Sequence, residues 1–323
     1  VRRQRQMCIR DRNMELSIIN KAFEEGWITA KPPLVRVGKT VAVIGSGPAG
    51  LACADQLNKA GYDVTVFERD DVIGGLLVYG IPDFKLEKWV VDRRVDLLKQ
   101  EGIKFKTNIW VGRDYPAKIL KKEYDIIVLT GGATQARDLP IPGRSLKGLH
   151  FAVDYLKQQN KRNRGLEVDE DEILATNKNV IVIGGGDTAN DCVGTAIRQG
   201  AKNVYQLQRS SESERDSKGA SFWGKISAMT KNPVFEEGGI REYSVKPTAF
   251  SGEAGIVNKL HAIKLDENRE EIADSDFEIE CDLALFALGF LHPEHETLLG
   301  DLGVELDERG NVKTDEFKRT SVK

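Results

Sequence analysis

Short apolar runs closed by glycine alternate along this chain with stretches in which apolar residues recur every three or four positions. The first pattern predicts strands buried on both faces, and the second predicts helices with one apolar side. Residues 13–27 read as a helix, with Met14, Ile18, Ile19, Ala22 and Phe23 on one face and Gly26 at its end. Pro32-Pro33 then forces extended chain. Residues 39–44 form an apolar strand, 48–60 a helix ending at Gly61, and 63–67 a second strand that stops at Glu68. Residues 84–100 have helical periodicity through Leu86, Trp89, Val90, Val95, Leu97 and Leu98, and 125–129 form a strand entering Thr130-Gly131-Gly132. Pro140, Pro142 and Gly143 mark a turn-rich crossing, 150–159 a helix and 160–172 a charged loop. The opening pattern then repeats, with a strand at 179–183, a helix at 187–199 and a strand at 203–207. Residues 210–219 read as a polar loop, 240–265 as antiparallel strands, and 281–288 as a buried strand entering Gly289.

Each strand-helix-strand repeat carries a glycine loop at its first turn. The first loop is Gly45-Ser46-Gly47-Pro48-Ala49-Gly50, and the second, about 140 residues on, is Gly184-Gly185-Gly186-Asp187-Thr188-Ala189. In such a loop the first glycine allows the tight turn and the second lets backbone N–H groups approach a pyrophosphate. The third position lets the helix pack closely on the strand, so that the helix N-terminus faces the phosphates. Glu68, 23 positions past Gly45, is placed to accept hydrogen bonds from the ribose hydroxyls, with Arg69 beside it. In the second repeat Gln208-Arg209 takes that place. A neutral Gln208 does not repel a 2′-phosphate and Arg209 can pair with one, which favours NADPH while leaving NADH open; the alternative is a solvated Arg209. Arg215 is a weaker candidate for the same contact. Asp187 reads either as an ordinary helix N-cap or as a residue shaping the loop near the nicotinamide. The strip from Gly74 through Gly75 and Leu76 to Pro82 either lies against a flat aromatic ring or is a tight turn beneath the sheet.

Two dinucleotide sites in one chain imply electron transfer between them across a shared cleft. Hydride transfer between nicotinamide and flavin rests on ring stacking more than on a side-chain acid or base. No His-Glu-x-x-His, Gly-x-Ser-x-Gly or P-loop pattern occurs, and His292 with His295 is a weak metal signal. The 323 residues suffice for two domains with full cores, and the net charge of -3 gives no general attraction to nucleic acid or to anionic membranes. No apolar run spans a bilayer. Cys8, Cys53, Cys192 and Cys281 form no Cys-x-x-Cys pair, which fits a reducing cytoplasm. The last three are expected to be buried packing residues. Residues 1–12, rich in arginine, read as a disordered or foreign extension.

Several segments together resemble the glutamate synthase small (beta) subunit family and its NAD(P)H–flavin relatives. They are Ala22-Phe23-Glu24-Glu25-Gly26-Trp27, the first loop, and the strip Gly74 to Leu86. Gly131-Gly132-Ala133-Thr134-Gln135 with Asp138-Leu139-Pro140, Gly184 to Cys192 and Ala287-Leu288-Gly289-Phe290 complete the set. The resemblance implies an α/β fold of two Rossmann-like dinucleotide-binding domains, the NAD(P)H domain inserted into the FAD domain. The implied parts are a lead helix and linker at 13–38, the first part of the FAD-binding domain at 39–148, the NAD(P)H-binding domain at 149–288, and a return to the FAD domain at 289–323. FAD is implied at Gly45, Gly47, Pro48, Ala49, Gly50, Glu68, Arg69, Gly75, Leu76 and Gly132. NADPH is implied at Gly184, Gly186, Asp187, Thr188, Ala189 and Arg209, and Gly289 belongs to the crossover back. The implied activity is hydride transfer from NADPH to FAD, with electrons passing through iron–sulfur clusters to a glutamate synthase large (alpha) subunit. The family's cysteine-rich cluster domain and its closing flavin motif are absent from this stretch, so a fragment with weak FAD retention is expected. A related module serving ferredoxin or a pyrimidine reductase is the nearest alternative. A non-catalytic interaction module is the alternative of another kind, which two intact loops disfavour.

Overall fold

The computed structural model describes residues 2–168, 171–212 and 237–322. The chain gathers into two compact units. The first comprises Ala30–Asp138, Leu156–Glu170 and Leu288–Lys323, and the second comprises Val1–Thr29, Leu139–Tyr155 and Asp171–Ala287. The second unit therefore takes residues 139–148, earlier than the expected boundary, while 156–170 join the first. Polar ties explain the latter grouping. Lys157 Nζ lies 2.6 Å from Asp70, Asn163 Nδ2 donates to Asp83 at 2.6 Å, and Arg164 reaches Asp92 at 3.2 Å.

In the first unit, β1 (Thr40–Ile44), β2 (Asp63–Phe67), β3 (Lys104–Lys106) and β4 (Ile126–Leu129) form a parallel sheet in the order β3-β2-β1-β4. Alternate residues of β1 feed two cores. Val41 and Val43 pack with Leu51 and Ala54 of α2 (Pro48–Lys59) and with Val91, Val95 and Leu98 of α4 (Lys88–Gln100), which follows the single-turn helix α3 (Leu76–Tyr79). Ala42 packs on the other face with Ala117 and Leu120 of α5 (Ala117–Glu123) and with Leu298 and Leu302 of α8 (Leu298–Leu302). This is a sheet covered on both sides, as its unbroken apolar strands require. Helix α4 begins at Lys88 rather than at residue 84, because Pro82 opens a turn in which Lys85 and Leu86 donate back to its carbonyl. Strand β4 reads as buried but lies at the sheet edge, with Ile126 41% exposed.

The second unit holds a five-stranded parallel sheet made of β5 (Leu149–Phe151), β6 (Asn179–Ile183), β7 (Asn203–Leu207), β8 (Ile240–Glu242) and β12 (Leu283–Phe286). Their order is β5-β12-β6-β7-β8. Residues 240–242 thus pair parallel to β7 and not within an antiparallel hairpin. The antiparallel sheet is separate, with β9 (Val245–Glu253), β10 (Ile256–Lys264) and β11 (Phe277–Glu280) in the order β11-β10-β9. Helix α7 (Asp187–Arg198) follows β6, and α6 (Ala152–Asn163) starts in the second unit and ends in the first. Helix α1 spans Arg2–Glu24, so the segment expected to be disordered instead continues the lead helix. It holds no proline or glycine and is rich in helix-favouring arginine, glutamine and methionine. Of its expected apolar face, Ala22 is buried while Met14, Ile18 and Ile19 are exposed. No helix among the described residues is long and apolar enough to cross a membrane. The expected polar loop at 210–219 lies largely outside the described residues.

Cys192 and Cys281 are fully buried, whereas Cys53 is only half-buried, contrary to expectation. Burial, reinforced by Asp282, pushes the Cys281 thiol from its ordinary 9.0 up to about 12. Below pH 9 both folded and unfolded chains hold this proton. Between 9 and 12 only the folded chain does, so the thiol costs stability as pH rises through that window. The expected outcome is that Cys281→Ala flattens the fall of unfolding free energy above pH 9, by up to about 1.4 kcal/mol per pH unit. Denaturant titrations at a series of alkaline pH values measure this, and parallel curves for the two proteins would contradict it.

Candidate functional site

The first cradle lies where β1 enters α2. Gly45 has φ 102°, and a Cβ there would stand 2.7 Å from the Thr130 carbonyl oxygen, so the turn requires glycine. A Cβ on Gly50 would fall 1.9 Å from the Gly45 carbonyl oxygen, which enforces the close helix-strand approach. Gly47 differs. Its φ is an ordinary -63°, and a Cβ would meet nothing within 4 Å. Packing and backbone strain therefore do not require glycine at that position, and its missing side chain keeps the space in front of the helix end open. Gly47 is the N-cap of α2 and makes no side-chain cap bond, with Pro48 as the first helical residue. The N–H groups of the first turn are left for an anion. Pro48 and Ala49 are exposed beside it.

Glu68 sits at the end of β2, only 5% exposed. One of its oxygens accepts the Ser46 backbone N–H at 3.0 Å and the Ser46 hydroxyl; the other accepts the Asp70 N–H at 2.9 Å. The carboxylate thus clamps the loop. Ser46, 0% exposed, also accepts the Gly74 N–H at 2.9 Å. That bond ties the glycine strip to the loop, and a Cβ on Gly75 would stand 3.0 Å from the Gly47 Cα. The strip is therefore a turn lying against the cradle itself, with Leu76 48% exposed there at the start of α3. Buried Lys88 donates to the carbonyls of Ile81 and Leu86 and steadies the end of this strip. Thr130 donates its hydroxyl to the Ile44 carbonyl at 2.9 Å and to that of Gly45 at 3.2 Å. Sequence reasoning passed over Ser46 and Thr130; their only signal is a hydroxyl at a glycine turn closing a parallel strand.

Arg69 is exposed, its guanidinium 5.1 Å from the Trp110 ring centre and 3.7 Å from Glu294. Glu294 belongs to the return segment, which forms a short ladder with the loop after β4. Arg137 donates to the Gly289 carbonyl at 2.9 Å, and Ala136 bridges Phe290. Gly289 lies exposed in this ladder, and Gly132 is exposed in the loop leading to it. His292 and His295 stack at 4.1 Å and turn their nitrogens to the Pro293 and Gly310 carbonyls. Among the described residues no group of three or more potential metal ligands converges.

The second cradle repeats this geometry between β6 and α7. A Cβ on Gly184 (φ 140°) would stand 2.3 Å from the Ala287 carbonyl oxygen, while one on Gly186 would meet nothing within 4 Å. Gly186, not Asp187, is the N-cap of α7, again with no side-chain cap bond, so the capping expected of Asp187 is corrected. Asp187 is the first helical residue and is exposed; its carboxylate favours the helix dipole but disfavours an anion beside it. Thr188 is half-exposed and Ala189 buried against the sheet. Gln206, 1% exposed, donates to the Gly184 carbonyl at 3.0 Å and accepts from Arg241 at 3.2 Å. This buried support under the loop carried no sequence signal. Gln208 is 2% exposed, and its Oε1 would lie 2.5 Å from a Cβ on Gly185, so it underpins the loop and does not face solvent. Arg209, one residue on, is exposed at the end of β7. Arg215 lies outside the described residues.

The two kinds of glycine separate experimentally. Gly50→Ala is expected to destabilise the first unit by about 1–3 kcal/mol through overpacking. Gly47→Ala is expected to cost less, about 0.5–1 kcal/mol, the preference of an N-cap for glycine over alanine. It should also weaken FAD binding roughly tenfold or more, because the methyl closes the open space in front of the helix end. Thermal unfolding and fluorescence titration with FAD read the two effects, and unchanged affinity in Gly47→Ala would contradict the assignment.

Residues 39–323 match the pyridine nucleotide-disulphide oxidoreductase family. The chain is 48% identical over 319 residues to the glutamate synthase (NADPH) small chain of Mycobacterium tuberculosis, covering 96% of this chain and 65% of that protein. It is 40% identical over 310 residues to a putative glutamate synthase (NADPH) small chain of Cereibacter sphaeroides, covering 94% of this chain and 73% of the relative. Among solved structures, Mycobacterium tuberculosis FprA in complex with NADPH shares the fold, with a TM-score of 0.64, 17% identity, and coverage of 88% of this chain and 76% of FprA. With both glycine cradles in place, the chain belongs to the pyridine nucleotide-disulphide oxidoreductase family and, within it, to the glutamate synthase small chains.

Proposed function

We propose that this chain is the part of a glutamate synthase that takes a hydride from NADPH and sends its electrons to a large (alpha) chain. The observation that carries the reading is the pair of helix N-termini, each behind a glycine turn and each with an N-cap glycine whose Cβ position is open. The names of the relatives, glutamate synthase (NADPH) small chains, support the cofactor and the partner.

In this reading the first unit holds FAD and the second NADPH. Gly45 and Gly50 shape the first loop, Gly47 leaves room for the pyrophosphate, and Glu68 orients a ribose while holding Ser46. Gly75 and Leu76, on the strip that lies against the loop, Arg69 beside Glu68, and the exposed Gly132 and Gly289 would hold the rest of the cofactor. In the second unit Gly184, Gly186, Thr188 and Ala189 form the phosphate turn, with Arg209 outside it as the group for a 2′-phosphate. NADPH, when bound, would supply the hydride, and FAD would supply the chemistry that turns it into single electrons. The chain's own part is to hold the two, exclude water and supply no acid or base. The iron–sulfur carriers that lead onward are assigned to parts of the assembly outside this chain.

Anaerobic mixing of the chain with FAD and NADPH tests the reading. Loss of the oxidised flavin's visible absorbance is expected, and its persistence would leave only a binding module. Arg209→Ala should raise the KM for NADPH roughly 10- to 100-fold, the value of a charge-assisted contact, and leave that for NADH unchanged. Equal effects on both cofactors would remove Arg209 from the 2′-phosphate.

A further inference from the structure

Outside both cradles, the antiparallel sheet of the second unit lines up a serine, a histidine and a glutamate. Ser251 Oγ lies 2.8 Å from His261 Nε2, and His261 Nδ1 lies 3.2 Å from Glu278 Oε1. The strand register produces this row. His261 of β10 directly faces Glu278 of β11. Ser251 of β9 faces Lys259, two positions along β10 from His261, a diagonal that side chains span. Lys259 Nζ sits 2.6 Å from the other Glu278 oxygen, and Glu280 faces Lys259 across the strands.

The charges set the proton positions. The Lys259 ammonium holds the Glu278 carboxyl below its usual range, so the group is an ionised, acceptor-only carboxylate. The imidazole proton then belongs on Nδ1, beside that carboxylate, and Nε2 presents its lone pair to the Ser251 hydroxyl. A nucleophile beside a base, with the base oriented by a third group, is the arrangement that activates a serine.

We propose that Ser251 is a nucleophile with His261 as its general base and Glu278 as the residue positioning that base, and that its substrates are small activated esters. The row lies on a sheet face where His261 and Glu278 are 33% and 49% exposed, which admits a small acyl group directly. A good leaving group suits it, because such an ester needs less help with the developing oxyanion. Ser251 Oγ forms a bond to the acyl carbon while the bond to the leaving phenolate breaks, and the hydroxyl proton passes to His261 Nε2 and then to the phenolate. Water, deprotonated by the same nitrogen, next attacks the acyl carbon. Serine leaves with that proton, so ester and water become acid and phenol.

The test is incubation of the whole chain with p-nitrophenyl acetate, followed by peptide mass spectrometry. Acetylation of Ser251 is expected roughly tenfold or more faster than in His261→Ala, the contribution of a positioned base. It should vanish in Ser251→Ala. In Glu278→Gln it should slow several-fold with the thermal unfolding midpoint unchanged, and Glu278→Asp should recover part of the rate; a purely structural role would instead lower the unfolding midpoint along with the rate. Equal labelling of Ser251 in the parent and His261→Ala, or acetyl groups on lysines alone, would overturn the proposal.

Discussion

The first turn of an α-helix has backbone N–H groups that the helix itself cannot pair, and what stands in front of them decides what the helix end is for. In α2 and α7 a glycine stands there, no side chain caps it, and its missing Cβ faces open space. The neighbouring glycines are needed by the fold: Gly45 and Gly184 by their backbone angle and Gly50 by its closeness to a carbonyl. Gly47 and Gly186 are not so constrained. The fold thus spends two positions on keeping side chains away from positively polarised helix ends, an arrangement suited to phosphates.

The two cradles are built alike but balanced differently. Beneath the first lies a buried carboxylate that grips Ser46; beneath the second a buried glutamine abuts Gly185. Each side chain holds its own loop from beneath. A charged acid suits the hydroxyls of a ribose, and a neutral amide followed by an exposed arginine suits an additional phosphate. The same local architecture thus carries a charged acid at the end of the second strand in one unit and a neutral amide in the other.

Much of this was legible because parallel strands buried on both faces read as unbroken apolar runs. The ends of β2, β6 and β7 coincide with the expected ones, and those ends place the loops. Other features depended on partners distant in sequence. Three-residue β5 is too short to show a period, and its pairing with β12 defines it. Helix α4 was read as longer because Phe84 and Leu86 continue its apolar face, though the Pro82 turn takes them. Asp187 looked like a cap because caps and first helical residues share a composition; only backbone angles separate them. The hydroxyls of Ser46 and Thr130 and the amide of Gln206 act through a few hydrogen bonds to groups distant in sequence, which no periodicity records.

The central claim is that one chain carries two distinct dinucleotide sites. Calorimetric titration with FAD and with NADP+, an oxidised pair that cannot react, measures it directly. One FAD and one NADP+ bound per chain, each unaffected in stoichiometry by saturation with the other, is the predicted result. Competition of the two for a single site, or binding of neither, would contradict it.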